Sequence, residues 1–179
     1  WANDIGTLTD KGREEANQVG ARLKNYNIDA VYVSDLRRTR ETAAEIAKHI
    51  KVEQKISHGI RERNLGIFGD LTFDEIKEKW PEKFEKFIDH YDKDWNGLEG
   101  ESLSDVHNRF NAFLSELESA HKDENVLLVT HSGVLYTALR DVFGFFPKDS
   151  WMDVAHTSIT VLEKEGDKYV LAQFNDIEN

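Results

Sequence analysis

Val126-Leu127-Leu128-Val129-Thr130-His131-Ser132-Gly133-Val134 decides the reading of this chain. Its four leading apolar residues read as a short buried strand. A Thr, a His, a Ser and a Gly follow, and the next apolar residues take up helical spacing. His131 is thereby placed at the carboxyl end of a strand and at the start of a helix. In open α/β sheets ligands bind at that edge. A helix start also offers unpaired N–H groups and a partial positive charge, which suit a phosphate. Standing alone, the segment fits a histidine merely satisfied at a helix start equally well, so the rest of the chain has to decide.

Outward from this segment the chain alternates helices and strands. Thr9 can cap a helix with Ala16, Val19, Gly20 and Leu23 at i, i+3, i+4, i+7. Residues 29–34, Asp-Ala-Val-Tyr-Val-Ser, read as a buried strand, and Ala43, Ile46, Ala47 and Ile50 then resume helical spacing. Thr72 and Glu75 form a capping box before Phe73, Ile76 and Trp80. Pro81 interrupts that helix, and Phe84, Phe87, Ile88 and Tyr91 carry the pattern on. Ser102 with Asp105 opens a helix that points Val106, Phe110, Phe113, Leu114 and Leu117 inward. Residues 158–163 and 169–174 flank Glu165-Gly166-Asp167 as an antiparallel hairpin. The alternation predicts an α/β fold: a three-layer α/β/α sandwich with a mostly parallel sheet and an antiparallel edge.

Length and charge narrow the function. The 179 residues suit one domain, 1–179, with a full core. No apolar run approaches the length of a membrane span. With no cysteine there is no disulfide, no thiol chemistry and no Cys-zinc site, a composition compatible with a cytoplasmic protein. The net charge of −11 disfavours nucleic-acid and anionic-membrane surfaces. It also repels a small anion at long range, so any phosphate site has to be a local cluster of positive charge.

Two more segments supply such a cluster. In residues 34–43, Ser-Asp-Leu-Arg-Arg-Thr-Arg-Glu-Thr-Ala, the arginines Arg37, Arg38 and Arg40 fall at another strand-to-helix junction on the same sheet edge as His131. A guanidinium fork there can hold two phosphate oxygens, although most arginines in such runs are solvated. In residues 60–71 two glycines and a polar run read as a loop that carries Glu62 between Arg61 and Arg63. A surface ion pair is the bland account of that glutamate.

Taken together these segments resemble the histidine phosphatase superfamily, with its phosphoglycerate-mutase-like fold, over nearly the whole chain. Leu8-Thr9-Asp10-Lys11-Gly12-Arg13-Glu14-Glu15-Ala16 is similar to the family's first helix start. The run from Ser34 to Ala43 is similar to its S-x-L-x-R-x-x-x-T-A segment and puts the phosphate arginine at Arg38. Arg61-Glu62 with Gly66 and Gly69 resembles its glutamate loop, and Gly100-Glu101-Ser102 its G-E-S. Val129 to Gly133 resembles the end of its second-histidine strand. The family's Arg-His-Gly, which carries the nucleophilic histidine, occurs nowhere in the sequence. Trp1-Ala2-Asn3 resembles the residues that follow that motif, so a first strand is expected upstream.

The resemblance implies a phosphomonoesterase working through phosphohistidine on a small phosphorylated metabolite. Arg38 and His131 hold the transferring phosphoryl group, with His131 protonated when phosphate is bound. Glu62 protonates the leaving oxygen and later deprotonates water, which calls for a raised pKa. Asn3 contacts the phosphate or orders the first loop. No metal and no cofactor are implied. The compact stretch between the glutamate loop and the late helix favours a phosphatase over a cofactor-dependent phosphoglycerate mutase. A non-catalytic phosphoester-binding protein is the alternative if the nucleophile is absent, and an unrelated α/β binder would give Arg38, Glu62 and His131 no reason to converge. Residues 72–99 are expected to form a helical cover over the site. Within it Phe84, Phe87 and Tyr91 read as core, while Phe68 and Trp95 are the candidates for a substrate pocket. His49, His58, His90, His107, His121 and His156 share no metal-ligand spacing. A monomer or a homodimer fits equally.

Overall fold

Residues Ala30–Ser34 form β1, buried on both faces because helices cover it from each side. The computed structural model describes residues 6–88, 94–96, 99–146 and 152–178. β1 pairs in parallel with β2, Gln54–Ser57, and with β3, Val126–Val129, giving the order β2-β1-β3. Side chains alternate across β1. Val31 and Val33 face a core built from Val19, Leu23, Ala43, Ile46, Ile50 and Val129. Tyr32 packs on the opposite face against a core of Ile60, Val106, Phe110, Phe113, Val134 and Ala138. These two cores are the interfaces of a three-layer α/β/α sandwich.

On the first face lie α1, Asp10–Leu23, and α2, Arg37–Ile46. Thr9 caps α1, its hydroxyl accepting from the Gly12 amide at 3.0 Å. Ala16, Val19, Gly20 and Leu23 are its buried residues, as their spacing predicts. α2 is shorter than the apolar spacing suggests. It ends at Ile46, and Ile50 reaches the core from the turn beyond. On the second face lies α5, Leu103–Ala120, opened by the Ser102–Asp105 capping box.

Between them come α3, Phe73–Lys79, behind its Thr72–Glu75 capping box, and α4, Pro81–Ile88. Pro81 ends one helix and begins the next, since it cannot donate inside a helix but is suited to its first position. Phe84 and Phe87 are only partly buried. They pack into an aromatic cluster with Phe68, Phe73, Trp80 and Trp95 rather than into either sheet core. Tyr91 lies outside the described residues.

After β3 comes α6, Ser132–Thr137, which passes into a π-helical turn over Ala138–Val142. β4, Ile159–Glu165, and β5, Lys168–Asp176, form the antiparallel hairpin. The hairpin makes its own two-stranded sheet among the described residues, whereas the sequence reading put it on the edge of the main sheet. It stands on the β3 side, where Ile159 and Val161 share a core with Val129 and Leu127. Among the described strands, β3 is hydrogen-bonded on its β1 side only.

Candidate active site

The parallel register sets Val33 beside Val129, so the residues just past the carboxyl ends of β1 and β3 lie side by side. From β1 come Ser34 and the first turn of α2, which carries Arg38. From β3 comes His131, the residue before α6. The Arg38 Nη2 lies 3.1 Å from His131 Nδ1, and His131 Nε2 lies 2.8 Å from Ser34 Oγ. A guanidinium only donates. His131 Nδ1 is therefore an acceptor, and the neutral ring carries its proton on Nε2, which donates to Ser34. His131 is 8% exposed. Burial, reinforced by the positive charges of Arg38, Arg109 and Arg61, holds its pKa at about 3. Of the three neighbouring arginines only Arg38 is turned toward His131, while Arg37 and Arg40 are exposed.

Glu62 arrives from the connection after β2. The Thr130 hydroxyl donates to the Ile60 carbonyl at 2.8 Å and ties that connection to the end of β3. Glu62 Oε1 accepts from the Arg63 amide at 2.9 Å, and Oε2 accepts a longer bond from the Gly133 amide at 3.4 Å. The residue is partly exposed, yet protein packed about its carboxyl raises its pKa. The two amides, Arg38 and Arg109 oppose that rise without cancelling it.

The close approach of Glu62 requires glycine at 133. A Cβ there would stand 2.4 Å from Glu62 Oε1. Gly133→Ala is expected to push the carboxyl out of place and cost about tenfold or more in turnover while the sheet still folds, because displaced catalytic groups lose rate steeply. Turnover compared with the circular-dichroism spectrum checks this, and an active Gly133→Ala would show that the Glu62 position is unimportant.

Ser34, Arg63 and Arg109 were given no role by the sequence reading. Ser34 is fully buried and accepts the Nε2 proton of the His131 tautomer that Arg38 sets. Arg109, on α5, grips both Glu101 carboxylate oxygens at 2.8 and 3.2 Å and donates to the Gly59 carbonyl at 3.0 Å. Arg63 donates to the carbonyls of Glu101 and Trp95. Ser34 ends a strand and Arg63 follows Glu62 in sequence, whereas no local signal marks Arg109, inside α5. Phe68 is 1% exposed at the centre of the aromatic cluster, so it stiffens that cluster rather than forming open pocket wall. Trp95 is partly exposed and lies 5.9 Å from Phe68 between ring centroids. Asn3 lies outside the described residues. Of the remaining histidines, His49, His107 and His121 are hydrogen-bonded to neighbouring side chains, and His58 lies against Asp35.

The histidine phosphatase superfamily (branch 1) matches residues 2–177. Phosphoserine phosphatase 1 of Hydrogenobacter thermophilus is 28% identical, over 94% of this chain and 80% of that protein. Phosphoglycerate mutase-like protein 4 of Arabidopsis thaliana is 35% identical, over 95% of this chain and 74% of that protein. The solved structure of Bacillus stearothermophilus YhfR superposes with a TM-score of 0.86 at 30% identity, covering 96% of this chain and 87% of that one. With the family model matched from residue 2 to residue 177, this chain belongs to branch 1 of the histidine phosphatase superfamily.

Proposed function

We propose that this chain hydrolyses a small phosphate monoester through a phosphorylated histidine, with Arg38 and His131 holding the phosphoryl group and Glu62 managing the proton of the leaving oxygen. It is a phosphoric monoester hydrolase of the histidine phosphatase type. The observation that carries the assignment of roles is the Arg38–His131 contact of 3.1 Å beside a glutamate whose pKa burial has raised. Phosphoryl transfer asks little of a protein beyond positioning and charge neutralisation. A cation and an imidazole supply both for the equatorial oxygens. A bound phosphate dianion favours protonation of His131, which then donates to an oxygen instead of accepting from Arg38.

In the first step a histidine nitrogen bonds to phosphorus as the ester oxygen departs, taking the Glu62 proton. In the second, water attacks phosphorus, Glu62 takes its proton, and phosphate leaves. The accepting histidine in this reading is that of the family's Arg-His-Gly motif, which does not occur among residues 1–179. Residues 72–99 cover the site, and Trp95, backed by Phe68, meets the organic part of the substrate. The similarity to a phosphoserine phosphatase makes a small phosphorylated amino acid the first substrate to try. Among the described residues no helix is long and apolar enough to cross a membrane. We place the protein in the cytoplasm, on its cysteine-free composition, as a monomer or homodimer.

The test is release of inorganic phosphate from phosphoserine, sugar phosphates and nucleotides. It is paired with quenching during turnover of a radiolabelled ester. Phosphate release with a protein-bound label that survives alkali and is lost in acid is the expected result. Isomerised ester without phosphate would make the chain a mutase, and ester bound without turnover would make it a binding protein.

A further inference from the structure

The Arg63 side chain ties the Glu62 loop to the segment around Trp95. Arg63 Nε donates to the Glu101 carbonyl at 2.8 Å, and Arg63 Nη2 donates to the Trp95 carbonyl at 3.1 Å. The backbone amide of the same residue donates to Glu62 Oε1 at 2.9 Å. Arg63 therefore touches the acid with its main chain and the aromatic segment with its guanidinium. A planar fork holding two carbonyls fixes direction as well as distance, which a lysine cannot do.

The surroundings of Arg63 stiffen this link. The Asn64 amide donates to Glu101 Oε2 at 2.8 Å, and the Glu101 amide returns a bond to the Asn64 carbonyl at 2.7 Å. The two strands of chain meet so closely that a Cβ on Gly100 would stand 2.7 Å from the Asn64 carbonyl oxygen and 2.9 Å from the Gly66 nitrogen. Those neighbours are backbone and cannot swing aside. Arg109 anchors the far side by gripping the Glu101 carboxylate. A shift of the Trp95 backbone is thus passed to residue 63 through its guanidinium, and Glu62 is the adjacent residue.

We propose that Arg63 is a positioning residue that couples the placement of Trp95 to that of the Glu62 carboxyl, so that substrate seated against Trp95 sets the acid for proton transfer. The proposal rests on the reading of Glu62 as the acid. It is not a claim that Arg63 touches the substrate.

Leaving-group dependence tests the coupling. An alkyl phosphate needs a proton on its departing oxygen, whereas p-nitrophenyl phosphate departs readily without one. In the full chain, Arg63→Met is expected to lower kcat/KM, which reports departure of the ester oxygen, by about tenfold more on the alkyl ester than on the p-nitrophenyl ester, a part of the effect of losing the acid itself. Arg63→Lys, which keeps charge and bulk but cannot bridge both carbonyls, is expected to show the same selectivity to a smaller degree, and it serves if the methionine variant does not fold. Trp95→Ala is expected to show the selective loss in the native background and to add nothing to it in the Arg63→Met background, as required of coupled residues.

Equal losses on both esters, no loss on either, or additive effects of Trp95 and Arg63 would overturn the coupling. Glu62→Gln separates this from the underlying reading. If Glu62→Gln is selective and Arg63→Met is not, only the coupling fails. If Glu62→Gln is itself unselective, the acid assignment fails first.

Discussion

Replacing His131 with alanine is expected to lower kcat on phosphate monoesters by about a hundred- to a thousandfold, the scale of losing one preorganised donor to a developing oxyanion. The imidazole sits at the end of β3, 8% exposed, between the Arg38 guanidinium and the Ser34 hydroxyl. In the proposed reading its removal takes away one ligand of the transferring oxygens, and Arg38 loses its contact with the ring. The same variant changes how stability responds to acid. In the folded chain burial and three arginines hold the His131 pKa at about 3, against 6.5 for a free histidine. Between these values the unfolded chain binds a proton that the folded chain does not. The stability tied to the neutral ring is therefore complete above pH 6.5 and is lost as the pH falls toward 3. His131→Ala is expected to flatten that part of the melting-temperature profile while turnover collapses. Turnover close to the native value would remove His131 from the phosphoryl site.

Why Arg38 and His131 were visible in sequence, and Arg63 and Arg109 were not, follows from how each reaches the site. Two strand ends that precede helices share the carboxyl edge of a parallel sheet, so residues just past them are neighbours whatever the loops do. The pairing of Val33 with Val129 realises that rule. Glu62 is reached through a loop, and its arrival beside Gly133 depends on the Thr130 bond to Ile60, which no local pattern encodes. Arg109 acts across long sequence separations, donating to a carbonyl 50 residues away.

The same distinction runs through the fold. α1 exposed its inner face through spacing alone, and the capping boxes at Thr72 and Ser102 marked two helix starts that the structure reproduces. β2 went unread because Gln54-Lys55-Ile56-Ser57 is an edge strand with little to bury. Its one large apolar residue, Ile56, is 53% exposed, so no alternation marks it. Phe68 follows neither helix nor strand period, since it is buried by aromatic rings from α3, α4 and the segment at Trp95 rather than by its own element.

Glu62→Gln is expected to cost about a hundredfold or more in kcat/KM on alkyl phosphates and far less on p-nitrophenyl phosphate, the range for a positioned general acid, because kcat/KM reports departure of the ester oxygen and not the later attack of water. The acid must be protonated when the ester oxygen departs. Burial raises its pKa above the ordinary 4.5, which keeps more of the protonated form available as the solution approaches neutrality. Rate is therefore expected to fall as pH rises through this raised pKa, and the glutamine variant is expected to lack that limb. Stability runs the other way. Because the folded state prefers the protonated carboxyl, Glu62 contributes most below pH 4.5 and that contribution is lost as pH rises through its folded pKa. Glutamine keeps the shape and never ionises, so the variant is expected to melt at the native temperature or higher near neutrality and to show no such gain in acid. A residue whose loss lowers rate but not stability is held for chemistry rather than for packing. Equal rate losses on both esters, together with a lower melting temperature at neutral pH, would instead make Glu62 a structural carboxylate of its loop.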